Sequence, residues 1–151
     1  MPDLTTTRRW SLRNLVFAII ILGILGLLAE LLLIEHIESF TQWIPLIVLS
    51  AGLASCIWLA LDPRLAALKT FQAVMAAFVV AGLAGVYFHY AGNVEFALER
   101  DSALGGVTLV WKALRGATPA LAPGALAQLG LLGLAYTYGH PAPQRTIPGD
   151  S

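Results

Sequence analysis

Four apolar runs, each long enough to cross a bilayer, occupy most of this chain, at 15–34, 42–61, 70–91 and 119–138. A hydrocarbon core of ~30 Å needs about 20 helical residues, and runs of ~18 or more with few charges are candidate spans. The expected fold is an all-α membrane protein: an antiparallel four-helix transmembrane bundle in a single domain over 1–138. The tail, 139–151, is rich in Pro and polar residues and is expected to be disordered and cytoplasmic. Composition agrees, since 58% of residues are hydrophobic and only 12% charged, whereas a soluble domain carries ~25% charged residues. The formal net charge is zero, so nothing marks a nucleic-acid partner. The expected partners are the lipid bilayer and other membrane-protein subunits or further copies of the chain. Cys56 is the only cysteine, which excludes an internal disulfide.

Basic residues concentrate on the cytoplasmic side of membrane proteins. With the N-terminus inside, Arg8, Arg9, Arg13, Arg64, Lys69 and Arg145 are inside, and Arg100, Lys112 and Arg115 are outside. This asymmetry predicts cytoplasmic termini, in what is expected to be the plasma membrane. Residues 7–13 partly resemble a twin-arginine export signal, but Ser11 follows Trp10 and the apolar run is too long for a cleaved signal. An uncleaved first helix is expected. Trp10, Trp58, Tyr136 and Tyr138 then fall at the inner boundary, and Trp43, Tyr87 and Tyr90 at the outer one. Aromatic residues of this kind anchor a helix at headgroup level.

Two connections are short, which makes sequential helices antiparallel neighbours. The third, 91–118, carries Val107, Val110, Trp111 and Leu114 at helical spacing, with Lys112 and Arg115 on other faces. Such a pattern predicts a short amphipathic helix lying on the outer membrane surface. Thr118 is expected to cap the last span, with Pro119 in its first turn.

Lipid tails are as apolar as Leu, so small residues that permit close approach mark helix contacts. Ala77, Ala81 and Gly85 form such a stripe on the third span, continuing outward to His89 and Asn93. The last span offers Gly124, Ala127, Gly130 and Gly133. Gln128, near the midplane, is expected to hydrogen-bond a neighbouring helix, because an unsatisfied polar group in hydrocarbon costs several kcal/mol. Glu30 lies one turn below the outer end of the first run. Intramembrane carboxylates usually face a bundle interior, so Glu30 is expected to point inward and share a proton or hydrogen bond with His89.

Glu30, His36, His89 and Asn93 thus define a possible outer polar cluster, with Glu35, Glu38, Glu95 and Glu99 nearby. Imidazole and carboxylate together suit a divalent cation, and His36 with His89 could in principle flank a haem. No His-x-x-x-His, Glu-x-x-His or Cys-x-x-Cys-His spacing supports either reading, and no metal or cofactor is expected. Ser39, Ser50 and Ser55 lack a nucleophile-elbow context, and there is no Gly-rich phosphate loop. With no catalytic motif, the expected role is that of a small non-enzymatic subunit or scaffold of a larger membrane assembly. The alternative is a small transporter or ion-handling protein using the outer Glu/His cluster.

Overall fold

A computed structural model describes residues 11–35, 40–116 and 119–138. The described residues form five helices: α1 (Leu12–Leu33), α2 (Phe40–Leu61), α3 (Leu65–Arg100), α4 (Gly106–Leu114) and α5 (Gly124–Thr137). Helices α1, α2 and α3 are long and apolar enough to cross a membrane, and α5 is a shorter apolar helix. The expectations for Trp10, His36, Glu38, Thr118 and the tail fall outside the described residues.

Local chemistry sets the helix ends. Ser11 caps α1, its hydroxyl accepting from the Asn14 amide at 3.3 Å, which satisfies one of the free N–H groups of the first turn. Glu35, at φ 51°, turns the chain out of α1. Asp62 and Pro63 stop α2, since a residue before Pro is driven away from helical geometry, and Arg64 closes the turn with an ion pair to Asp62 at 2.8 Å. At the end of α3, the Asp101 carboxylate accepts from the Ala103 amide at 3.1 Å and starts the turn towards α4.

Two boundaries differ from the sequence expectation. The third span was expected to end near 91, yet α3 continues to Arg100 and has 36 residues. Glu95, Phe96, Ala97, Leu98 and Glu99 favour a helix as well as the apolar run does, so leaving the apolar stretch does not end it. The last span was expected from 119, yet α5 starts at Gly124. Before it the chain winds through tight turns, with Ala122 N–H donating to Pro119, Gly124 to Leu121 and Ala125 to Ala122. Pro119 and Pro123 lack the N–H groups that a regular first turn would use. The amphipathic helix of the third connection is α4, as expected from its spacing.

The apolar core draws Ile20 and Ile24 from α1, Leu49, Cys56 and Leu59 from α2, Phe71, Met75 and Phe78 from α3, and Leu126 from α5. Helix α1 packs on α2 and α5, and α3 packs on α2, α5 and α4. Small residues set how closely the helices approach. Phe78 lies over Gly52, and Met75 over Gly133. A Cβ on Gly130 would sit 2.6 Å from the Met75 carbonyl oxygen, and one on Gly82 would sit 2.5 Å from the Ala127 nitrogen. The small surface expected on the last span therefore faces α3 through Ala127, Gly130 and Gly133.

The matching stripe on α3 is partly the expected one. Gly85 meets the Pro123 ring and Ala81 packs on the core, but Ala77 is exposed and Gly82, not expected, makes the closest approach. At the other end of the molecule, Phe17, Phe71 and Tyr136 stack around one another with ring centroids 5.1–6.3 Å apart. Arg13 lies over the Tyr136 ring and donates to the Tyr136 carbonyl oxygen at 3.2 Å. Gln72 donates to the Thr137 hydroxyl at 3.1 Å. Tyr136 thus joins three helices instead of serving only as a headgroup anchor.

Candidate functional site

Of the outer polar cluster expected from the sequence, Glu30, His89 and Asn93 are described, and His36 lies outside the described residues. His89 is half-buried on α3, with its Nδ1 3.2 Å from the Pro119 carbonyl oxygen. With Nδ1 protonated, the ring donates to a carbonyl in the irregular turns before α5 that also accepts the Ala122 N–H. Asn93, one turn further along α3, is buried and donates to the Ala113 carbonyl oxygen of α4 at 2.9 Å. Its amide lies against Gly116, where a Cβ could not fit. His89 and Asn93 therefore tie α3 to the start of the α5 segment and to α4.

Glu30 is elsewhere. It is exposed on α1, a helix whose backbone packs on α2 and α5 and not on α3. The structure does not bring Glu30 to His89, and the inward orientation expected for Glu30 is not the one observed. Periodicity explains the difference. Ile20 and Ile24 are the buried positions of α1, and a 3.6-residue repeat carries that face to 27, 28 and 31, leaving 30 outside. Among the described residues, no group of three or more His, Cys, Asp or Glu side chains is placed to hold a metal ion.

Gln128 also points away from the packed interior. It is exposed on α5 and lines an open groove of about 430 Å³ between α1 and α5, whose walls include Ile19, Gly23, Gly26, Leu129 and Leu132. Gly23 is close to Leu129, whereas a Cβ on Gly26 would meet nothing within 4 Å. Gly26 is thus an open notch beside Gln128. Glu30, four residues on, shares the Gly26 face of α1, since residues at i and i+4 lie one above the other. An amide, a carboxylate and a glycine notch therefore mark one face on an otherwise apolar surface. Leu22 on α1 and Leu131 on α5 are exposed on the same two helices, at 68% and 58%.

The interior offers no comparable polar site. Phe71, Phe78, Ile20, Ile24, Leu49, Met75 and Cys56 fill the space between the helices and are fully buried. Among the described residues, every buried polar side-chain atom has a hydrogen-bond partner. Ser55, for example, donates to the Gly52 carbonyl one turn back in its own helix, at 2.8 Å.

Sequence reasoning missed three features. The Arg13–Tyr136 contact joins positions far apart in the chain, and nothing local marks it. The fit of Asn93 against Gly116 needed the long third connection to fold back onto α3. Arg100, Lys112 and Arg115, used only for topology and for the amphipathic pattern of the third connection, gather at the α3–α4 corner around an open cavity. Comparison with known proteins finds no match: no family model, no curated protein and no solved structure aligns with the chain.

Proposed function

We propose that this chain is an antiparallel four-helix transmembrane bundle, with α5 and its preceding turns as the fourth crossing and both termini in the cytoplasm of a plasma-membrane protein. Its role is that of a non-enzymatic subunit that docks through the α1–α5 face. Helix pairing supports the bundle. Met75, Gly82 and Gly85 of α3 meet Gly133, Ala127 and Pro123 in descending order, and Arg13 and Gly23 of α1 meet Tyr136 and Leu129. The distribution of basic residues supports the orientation.

The observation that carries the subunit reading is the outward position of Gln128 and Glu30. Polar groups at membrane depth cost several kcal/mol when they face hydrocarbon alone, and ionisable ones usually face protein or a water-filled cavity. Here the groups that need a partner are on the outside, beside a glycine notch that admits another helix backbone. The transport alternative requires polar groups along an interior route, and apolar side chains from α1, α2, α3 and α5 fill the interior.

Gln128→Leu tests the reading. Gln128 makes no hydrogen bond within the described residues, so the variant should melt in detergent within ~0.5 kcal/mol of the wild type. Purified in mild detergent from native membranes, the wild type should carry a stoichiometric membrane-protein partner or a second copy of itself, and Gln128→Leu should release it. A wild-type chain that elutes alone and gives no cross-linked product in native membranes would refute the reading.

A further inference from the structure

The cavity at the α3–α4 corner lies outside the proposed docking face and has a different chemistry. It is open, has a volume of about 520 Å³, and is lined by Arg100 and Asp101 from the end of α3 and by Lys112 and Arg115 from α4 and its C-cap, with Asn93 and Phe96 beside them. Three cations therefore surround one carboxylate, and that carboxylate already accepts the Ala103 amide. Among the described residues, the only ion pair is Arg64–Asp62, at the other end of α3. Glu95 and Glu99 are exposed on α3 and do not line the cavity.

Two of the cations are held in place. The Arg100 guanidinium lies over the Phe96 ring at 5.6 Å from its centroid, and that of Arg115 over the Trp111 ring at 5.8 Å. Contacts of this kind restrict a long side chain without using the guanidinium N–H groups. Those N–H groups remain available as forked donors matched to phosphate oxygens. Asn93, itself buried, fixes the relative position of the two walls through its bond to Ala113.

Helix α4 sets the height of the cavity. Val107 and Trp111 are exposed at 85% and 60%, and an apolar face next to Lys112 and Arg115 suits a helix lying in the interface plane. In the proposed bilayer its cations are then level with the lipid phosphates.

We propose that this corner binds a phosphate-bearing anion, with Arg100, Lys112 and Arg115 holding the phosphate oxygens. Two sources present that group: the headgroup of an anionic phospholipid, and soluble phosphate.

The test titrates the full chain, purified in a neutral detergent, with phosphatidylglycerol or phosphatidylcholine and counts adducts by native mass spectrometry. Phosphatidylglycerol should give a single saturable adduct, about tenfold tighter than phosphatidylcholine, a preference of the size expected for a few interfacial cations. The combined variant Arg100→Gln, Lys112→Gln and Arg115→Gln should lower it to the phosphatidylcholine level. The control pair Arg64→Gln and Lys69→Gln, at the far end of α3, should leave it unchanged. Adding inorganic phosphate identifies the source: displacement of the lipid at millimolar concentration marks a site for the phosphate group alone, and retention marks a lipid site. Equal binding of the two lipids by the wild type, with no phosphate bound, overturns the proposal whether or not the triple variant folds. So does a triple variant that keeps the preference.

Discussion

Replacing Gly82 with Ala tests the central contact of the fold with a single methyl group. That methyl would stand 2.5 Å from the Ala127 nitrogen, 2.8 Å from its Cβ and 2.9 Å from its Cα. Carbon contacts are normally ~3.5–4.0 Å, so α3 and α5 would have to part by about 1 Å. The obstacle is largely backbone, so no rotamer change relieves it. Overpacking of this kind costs ~1–3 kcal/mol, and a backbone clash belongs at the upper end. Against it stands the better helix propensity of Ala, ~0.5–1 kcal/mol. The net loss is about 2 kcal/mol. Gly26→Ala is the matched control, because its methyl meets nothing within 4 Å and should bring only the propensity gain. The two variants should therefore differ by about 3 kcal/mol, roughly a hundredfold in the unfolding constant. Unfolding titrations from neutral to denaturing micelles, followed by circular dichroism, measure this difference. Equal midpoints would place Gly82 against lipid and refute the α3–α5 packing.

Glu30 and His89 should behave independently. A double-mutant cycle with Glu30→Leu and His89→Leu should give a coupling below ~0.5 kcal/mol, and a larger value in detergent unfolding would bring α1 to the α3–α5 junction. Orientation can be probed with single cysteines at Ser102 and Ser151 in a Cys56→Ser background. An impermeant thiol reagent added to intact cells should label position 102 and spare 151, and the reverse pattern would invert the proposed topology.

Run length was readable from the sequence and helix rotation was not. The runs containing α1 and α2 are apolar, uninterrupted and bounded by polar residues, so their positions were recovered to within a few residues. The spacing of Val107, Val110, Trp111 and Leu114 gave α4, because an amphipathic helix has one polar face and one apolar face. Inside a bilayer that contrast disappears. Leu83 and Phe78 are equally apolar in sequence, yet Leu83 is 61% exposed and Phe78 fully buried. Small residues partly replace the missing signal. Ala127, Gly130 and Gly133 identified the packed face of α5, and Ala81 and Gly85 part of that of α3, but the stripe took in exposed Ala77 and passed over Gly82. Glu30 was assigned inward, and Gln128 to a neighbouring helix, by the rule that polar groups at membrane depth seek a protein neighbour. The rule leaves open whether that neighbour lies in the same chain, which the local sequence does not encode.

The turns before α5 bear on how the chain enters a membrane. A helix of 14 residues rises about 21 Å, short of a hydrocarbon core of ~30 Å. The preceding turns close most of their own carbonyls through local N–H bonds, and α3 supplies further contacts to them. The His89 ring is a second partner of the Pro119 carbonyl when its Nδ1 is protonated, and Gly85 leaves the space that Pro123 fills. Both belong to α3, which leaves the ribosome first. If α5 is the fourth crossing, as proposed, biogenesis is sequential at this point: the last segment inserts stably only against an α3 already in place. In the proposed topology, a chain with α3 deleted, or with α3 tilted away, would leave α5 at the membrane surface.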